Sequence, residues 1–205
     1  MGRPSAPLLD LDRITTAALT LVEESGGFTM PQLAKKLKVS PSSLYNHVSG
    51  RDEIIELLRG RAMSEVEMPE VGVPWREALA WIARGYRNSY GRYPRLIPLL
   101  TAQAVNSSAA FGMYNTLARV LTDAGFAPAD VLRIITVLDS YVLGSALDLA
   151  APEAPWLSSR DVEPELRAAL DTAGDLRERS EDAFEYGLRA LLAGFDPMAS
   201  DVLDG

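Results

Sequence analysis

The sequence predicts an all-α protein, with a small N-terminal helix-turn-helix domain of three helices and a larger C-terminal helical bundle. Three observations predict it. Apolar residues recur at i, i+3, i+4 and i+7 along most of the chain, and no segment shows the strict alternation of a half-buried strand. Breaks rich in glycine and proline, at Ser25-Gly26-Gly27, at 70–74, at 91–94, at 125–128 and at 151–164, cut the chain into pieces of helix length. The 205 residues, 47% of them hydrophobic, exceed what a lone helix-turn-helix needs and suffice for a second core. The expected division is residues 1–68 and 74–205, with Glu70 to Pro74 as the boundary.

Residues 1–10 read as an arm, because Gly2-Arg3-Pro4 does not sustain a helix. A helix starts at Leu11, carries Ile14, Ala17, Ala18, Leu21 and Val22 on one face, and stops at Ser25-Gly26-Gly27. Thr29 then has the side chain of an N-cap and Gln32 that of the return bond in a capping box, with Phe28 and Leu33 placed as the hydrophobic staple. This helix presents Leu33, Ala34 and Leu37 on one side and Lys35, Lys36 and Lys38 on the other. Ser40 caps the next helix and Pro41 takes its first position, where no N–H is needed. Val39 and Leu44 form a second staple. Leu44 and Val48 face inward, which leaves Ser42, Ser43, Tyr45, Asn46 and His47 outward on a very short helix. From Arg51 a fourth helix with Ile54, Ile55, Leu57, Leu58 and Met63 is expected to run to about Met68.

Beyond the break, helices are expected from Trp75 to about Tyr90, from Pro94 to Val105 with a kink or shortening at Pro98, and from Ser108 to about Ala124. Others follow from Ala129 to about Ala150, weakly from Glu165 to Ala173, and from Glu181 to Phe195.

The outward set on the short helix is what contact with DNA requires: hydroxyls, an amide, an imidazole and a phenol, all able to bond phosphates or base edges. The stretch from Phe28 to Arg51 holds four Lys or Arg and no Asp or Glu, in a chain of formal charge -8. A basic, acid-free patch in an acidic protein is the electrostatic footprint of a nucleic-acid site. Residues 1–60 carry seven basic and seven acidic residues, leaving 13 and 21 for the remainder, so the acidic part would be held away from the duplex. Lys36 or Lys38, Tyr45 and Arg51 are the candidates for phosphate contacts, and Ser42, Ser43, Asn46 and Met30 for base edges. Thr29, Ser40, Pro41 and His47 complete the candidate surface, and Arg3 is either a frayed terminal residue or a side chain that enters a minor groove. The competing reading is a solvated helical hairpin that touches nothing.

Composition removes other classes. There is no Cys, so disulfide scaffolds, thiolate zinc sites and cysteine nucleophiles are excluded. The single histidine, His47, falls in the helix-turn-helix, which leaves no histidine metal site or triad, and no glycine-rich phosphate loop is present. No metal, cofactor or enzymatic activity is expected. No apolar run approaches the roughly 20 residues that span a bilayer, and the first residues lack an apolar signal-peptide core, so a cytoplasmic location without membrane contact is expected.

The residues from Phe28-Thr29 and Gln32 to Leu37, Val39-Ser40, Ser43-Leu44-Tyr45, His47-Val48 and Arg51 resemble the DNA-binding domain of the TetR family of transcriptional repressors over residues 11–68. The resemblance implies a homodimer in which Ser40 to His47 form the recognition helix, Tyr45 contacts phosphate, His47 supports or contacts the DNA backbone, and Arg51 pins a phosphate. Pro31, and Pro41 with Ser42, depart from the family's pattern at the reading end. It further implies a C-terminal domain that binds a small-molecule effector and dimerises, so that an effector releases the protein from a double-stranded DNA operator. An effector-independent architectural DNA-binding protein and an all-helical enzyme are the alternatives.

Trp81, Tyr86, Tyr90, Gln103, Phe111, Met113, Tyr114, Asp139 and Tyr141 form a set suited to an effector cavity, although each aromatic also fits a plain core. Asp139, inside an apolar run, is costly if buried without a partner. Either an arginine such as Arg84 or Arg119 pairs with it, or it recognises a cationic or hydroxyl group on an effector. The segment from 129 to 150 is apolar nearly all round, which asks for burial on more than one side. Val131, Ile135, Leu138 and Val142 with Phe184, Leu188, Leu191 and Leu192 are therefore the candidate dimer interface, against the alternative that this helix is the centre of a monomeric bundle.

Overall fold

A computed structural model describes residues 9–150, 162–172 and 175–195. The described residues form ten α-helices and no strand: α1 (Leu11–Ser25), α2 (Met30–Leu37), α3 (Pro41–Tyr45), α4 (Arg51–Ser64), α5 (Trp75–Gly91), α6 (Ile97–Thr101, entered by a 3₁₀ turn at Pro94–Leu96), α7 (Ser108–Asp123), α8 (Pro128–Asp148), α9 (Pro164–Asp171) and α10 (Leu176–Gly194). The chain folds into two compact units that interleave along the sequence. The first takes Met1–Val66 together with Arg95–Met113, the second Glu67–Pro94 together with Tyr114–Gly205. One crossing, after Val66, falls near the break read at Glu70 to Pro74. The other two have no counterpart in a linear division of the chain.

In the first unit each helix end obeys local chemistry. Asp10 caps α1 by accepting from Arg13 N at 2.8 Å. Gly26, at φ 77°, closes the helix in the left-handed region with its N–H on Val22 O. No basic residue sits in the last turn of α1, and Arg95 supplies the missing cation from far along the chain, donating to Glu23 O at 2.8 Å and Glu24 O at 3.2 Å. Arg59 of α4, only 6% exposed, grips Glu56 through Nε at 3.0 Å and donates to Leu100 O at 2.7 Å. Glu56 in turn accepts from Asn106 N at 2.8 Å. These bonds bind the 95–113 segment to the helix-turn-helix unit.

Three element boundaries differ from the sequence expectation. α4 stops at Ser64 rather than about Met68, with the Glu65 N–H turned onto Ala62 O and Met63 O, and Glu65 and Glu67 sit at the negative end of the helix dipole. The helix expected over 94–105 is a 3₁₀ turn followed by five helical residues, since Pro98 is tolerated only in the first turn. α10 begins at Leu176, five residues before Glu181, because Asp175 caps it by accepting from Glu178 N at 2.9 Å.

The second unit packs α5, α8 and α10. Its core joins Leu79, Ile82, Ala83, Tyr86 and Tyr90 of α5 to Val131, Ile134, Leu138, Val142 and Ala146 of α8 and to Phe184, Leu188 and Leu192 of α10. Arg87 lies buried at the centre of the same three helices. Most of the residues expected at a dimer interface lie in this core. Val131, Leu138, Val142, Phe184, Leu188 and Leu192 are already covered within one chain, and only Ile135 and Leu191 of that set retain partial exposure. The apolar residues that α8 leaves open are instead Leu132, 68% exposed, Val137 and Leu147, and on α10 the open aromatic is Tyr186.

Close approach of α8 and α10 depends on one glycine. Tyr141 donates to Phe184 O at 2.7 Å and stacks on the Phe184 ring with centroids 5.6 Å apart. A methyl group at Gly187 would fall on the Tyr141 hydroxyl and lie 2.8 Å from its Cζ. Gly187→Ala is expected to lower stability by about 1–3 kcal/mol, the usual cost of overpacking, read as a lower urea midpoint. An unchanged midpoint would show that the Tyr141 ring swings aside without cost.

Candidate nucleic-acid interface and ligand cavity

The first site is built by two short helices and their caps. Thr29 accepts from Gln32 N at 3.3 Å while Gln32 Oε1 takes the Thr29 N–H at 2.8 Å, which completes the capping box at the start of α2. Phe28 and Leu33 are both buried beneath it. Lys38 closes α2 in the left-handed region at φ 58° and stays exposed. Ser40 caps α3, accepting from Ser43 N at 3.2 Å, and its hydroxyl lies 2.8 Å from those of both Ser42 and Ser43. Leu44 and Val48 anchor α3 from below. Above them Tyr45, 54% exposed, stands with Ser42, Asn46 and His47 open to solvent. The helix ends at Tyr45, so Asn46 and His47, expected on it, stand in the turn that follows and complete a polar surface on an apolar foot.

Two of the basic candidates are also employed within the unit. Lys36 Nζ lies 3.1 Å from Glu24 Oε1, drawing its charge toward α1. Arg51 donates from Nε to Phe28 O at 3.1 Å and sits 5.4 Å from the centroid of the Phe28 ring, so it ties α4 to the start of α2. Lys35 and Lys38 remain exposed, and Met30 is half-buried. Arg3 lies outside the described residues.

The second site lies in the second unit, where α5, α7 and α8 meet. Tyr86 donates to Asp139 Oδ1 at 2.7 Å and Tyr114 donates to the same oxygen at 3.0 Å. Tyr90 packs edge-on against Tyr86, with ring centroids 4.8 Å apart. Burial first, and the Asp139 charge next, push the Tyr86 hydroxyl well above the usual phenol range, so it stays a proton donor at neutral pH. Asp139 is therefore held by two phenols, and neither Arg84 nor Arg119, the arginines offered as one of its two readings, pairs with it. Arg84 instead makes a two-pronged pair with Glu185, at 2.6 and 2.8 Å. A groove of 450 Å³ runs between α7 and α8, lined by Tyr114, Asn115, Ala118, Pro128, Val131, Leu132, Ile135, Thr136, Asp139 and Ser140.

The other expected pocket residues lie elsewhere. Trp81 is 53% exposed, with its indole N–H on Glu67 O at 3.0 Å, and Tyr141 is committed to Phe184. Gln103, Phe111 and Met113 belong to the first unit. Gln103 there bonds Asp52 Oδ1 at 2.8 Å beside a wider groove of 1040 Å³ between α4 and residues 102–109. Among the described residues no cluster of His, Asp or Glu is arranged to hold a metal ion, and no helix is long and apolar enough to cross a membrane.

Comparison with known proteins agrees with this architecture. The family described as "Tetracyclin repressor-like, C-terminal domain" matches residues 68–199. An HTH-type transcriptional regulator of Saccharopolyspora erythraea is 31% identical over 179 residues, covering 86% of this chain and 72% of its own length. The chain belongs to the TetR family of transcriptional regulators. The class D tetracycline repressor protein of Escherichia coli is 26% identical to this TetR-family chain over 205 residues, 95% of the chain and 93% of the repressor. Among solved structures, the Streptomyces coelicolor TetR family protein ActR in complex with (S)-DNPA superposes with a TM-score of 0.70 at 26% identity, covering 93% of this chain and 100% of that one. The family match through the C-terminal part complements the helix-turn-helix residues, which carried the resemblance from the other end of the sequence. Sequence reasoning missed the Tyr86–Asp139–Tyr114 arrangement as a unit and missed Arg87 altogether.

Proposed function

We propose that this TetR-family regulator is a homodimeric repressor that binds a pseudo-palindromic operator through α2 and α3 and releases it when a small molecule occupies the second unit. The observation that carries the proposal is α3 and its C-terminal turn: Leu44 is fully buried beneath exposed Ser42 and Tyr45 of the helix and exposed Asn46 and His47 of the turn that follows, within a stretch of four basic residues and no acidic one. In this proposal Lys38, Tyr45, His47 and Arg51 meet phosphates, with Lys36 joining when it leaves Glu24. Ser42, Ser43, Asn46 and Met30 meet base edges, and the caps Thr29 and Ser40 with Pro41 fix the two helices. The named activity of the class D tetracycline repressor and the ligand in the ActR complex support a repressor with an effector. The exposed Val137, Leu147 and Tyr186, outside the groove, support a second copy as the partner of α8 and α10. Two heads must then stand about 34 Å apart to enter successive major grooves. An effector that favours another separation releases the DNA, with a coupling of about 1–3 kcal/mol.

A salt-titrated gel shift on the DNA upstream of the protein's own reading frame tests the proposal. The expected result is a saturable complex on that fragment, weakening with salt at close to one logarithmic unit per phosphate contact. Equal binding to any sequence would replace the repressor with an architectural protein, and no binding would remove the DNA-binding assignment.

A further inference from the structure

We infer that the groove between α7 and α8 takes a small amphiphilic cation, an apolar body carrying an amine, with Asp139 as its counter-charge. The inference rests on the second unit being the effector-binding part. Ala118, Val131, Leu132 and Ile135 form the apolar walls of the 450 Å³ groove, and among the described residues Asp139 is the only charged side chain that lines it. Both phenols bond the same carboxylate oxygen, Oδ1. No described residue donates to Oδ2, and no described cation pairs with Asp139. The two arginines of α5 on this stretch are spent elsewhere: Arg84 on Glu185, Arg87 on Glu181. The carboxylate thus stands half out of water, with neutral partners on one side and an open oxygen on the other. A positive nitrogen supplies what the phenols do not.

Of the remaining polar lining, Asn115 offers both a donor and an acceptor, while Thr136 and Ser140 point the same way as Asp139. Thr136 donates its hydroxyl proton to Leu132 O at 2.8 Å and Ser140 donates to Thr136 O at 2.9 Å. With those protons used inside α8, both oxygens face a ligand as acceptors. An acceptor-rich groove with one carboxylate suits a donor such as an ammonium group and disfavours a carboxylate or phosphate. Its volume lies within the range of about 300–1,000 Å³ usual for small-molecule sites.

Three dansyl probes that share one fluorophore test this on the full-length protein: dansylcadaverine, which is cationic, dansylamide, which is neutral, and dansylglycine, which is anionic. Dansylcadaverine is expected to bind roughly tenfold or more tighter than dansylamide, the scale of one hydrogen bond to a charged group, and dansylglycine to bind least. Asp139→Asn is expected to erase the difference, whereas Tyr114→Phe, which leaves the carboxylate in place, keeps it. Ala118→Phe, which fills the groove away from Asp139, is expected to abolish binding of the cation and tests the site even if Asp139→Asn does not fold. Equal binding of dansylcadaverine and dansylamide, a preference that survives Asp139→Asn, or no binding of any probe overturns the inference. A specific operator shift without a cation preference leaves the regulator standing and removes this ligand class. A cation preference without an operator complex does the reverse.

Discussion

Arg87→Met is expected to lower the stability of the second unit by about 2–4 kcal/mol, among the largest effects of any single replacement outside the apolar core. The residue is 1% exposed, and its side chain makes four bonds to two other helices: to Ser145 Oγ at 2.8 Å, to Glu181 Oε2 at 2.5 Å, and to both Ser180 O and Ser180 Oγ at 3.1 Å. Its guanidinium also lies 4.5 Å from the centroid of the Phe184 ring. Methionine fills most of the volume but leaves the buried Ser180 groups and Ser145 without their donor. Glu181 can turn to water, since its side chain is 55% exposed, so the loss stays below that of a stranded buried charge. Lysine keeps the charge but not the planar fork, and Arg87→Lys is expected to recover less than half of the loss. Urea unfolding followed by tryptophan fluorescence reads the effect, because Trp75 and Trp81 both lie in that unit. An unchanged midpoint for Arg87→Met would show that these bonds only exchange for water.

The second large effect concerns DNA. Replacing Tyr45 and Asn46 together by alanine is expected to weaken operator binding on the order of a hundredfold, the sum of two contacts of about 1–3 kcal/mol each, with the thermal midpoint nearly unmoved. Both side chains are exposed, and the Tyr45 hydroxyl bonds to no described residue, so the fold does not rely on them. Fluorescence anisotropy on the upstream fragment at fixed salt measures the change. Affinity within twofold of the parent would end the assignment of α3 as the reading helix. Arg51 is a poorer probe, since its bond to Phe28 O mixes a structural loss into any DNA effect.

The contrast between what was legible and what was not follows the range of the interactions. The caps at Thr29 and Ser40 need only three or four neighbouring residues, and the sequence displays them all. The same rule, applied to Asp175 and Glu178, would have placed the start of α10. Partners for Asp139 come from α5 and α7, 53 and 25 residues away, and nothing local distinguishes a phenol from a guanidinium at that distance. Arg87 left a faint signal: it stands four residues after Ala83 on the buried stripe of α5, yet a lone arginine in a helix normally reads as solvated. For α8, apolar periodicity announced that Val131, Leu138 and Val142 would be covered. It could not say whether α5 and α10 of the same chain or a second copy would do so.

The interleaving of the two units governs how this regulator can be recombined with its relatives. A graft cut at the Pro69 to Pro74 break would transplant α1 to α4 and leave Arg95 and Leu100 with the recipient. The last carbonyls of α1 would then meet whatever side chain the recipient offers, and Arg59 would keep Glu56 but face a foreign acceptor in place of Leu100 O. A chimaera that moves residues 95–113 along with the head keeps both attachments native. Reading specificity in this chain is thus inherited as two separated pieces of sequence, and the shorter piece makes none of the proposed DNA contacts.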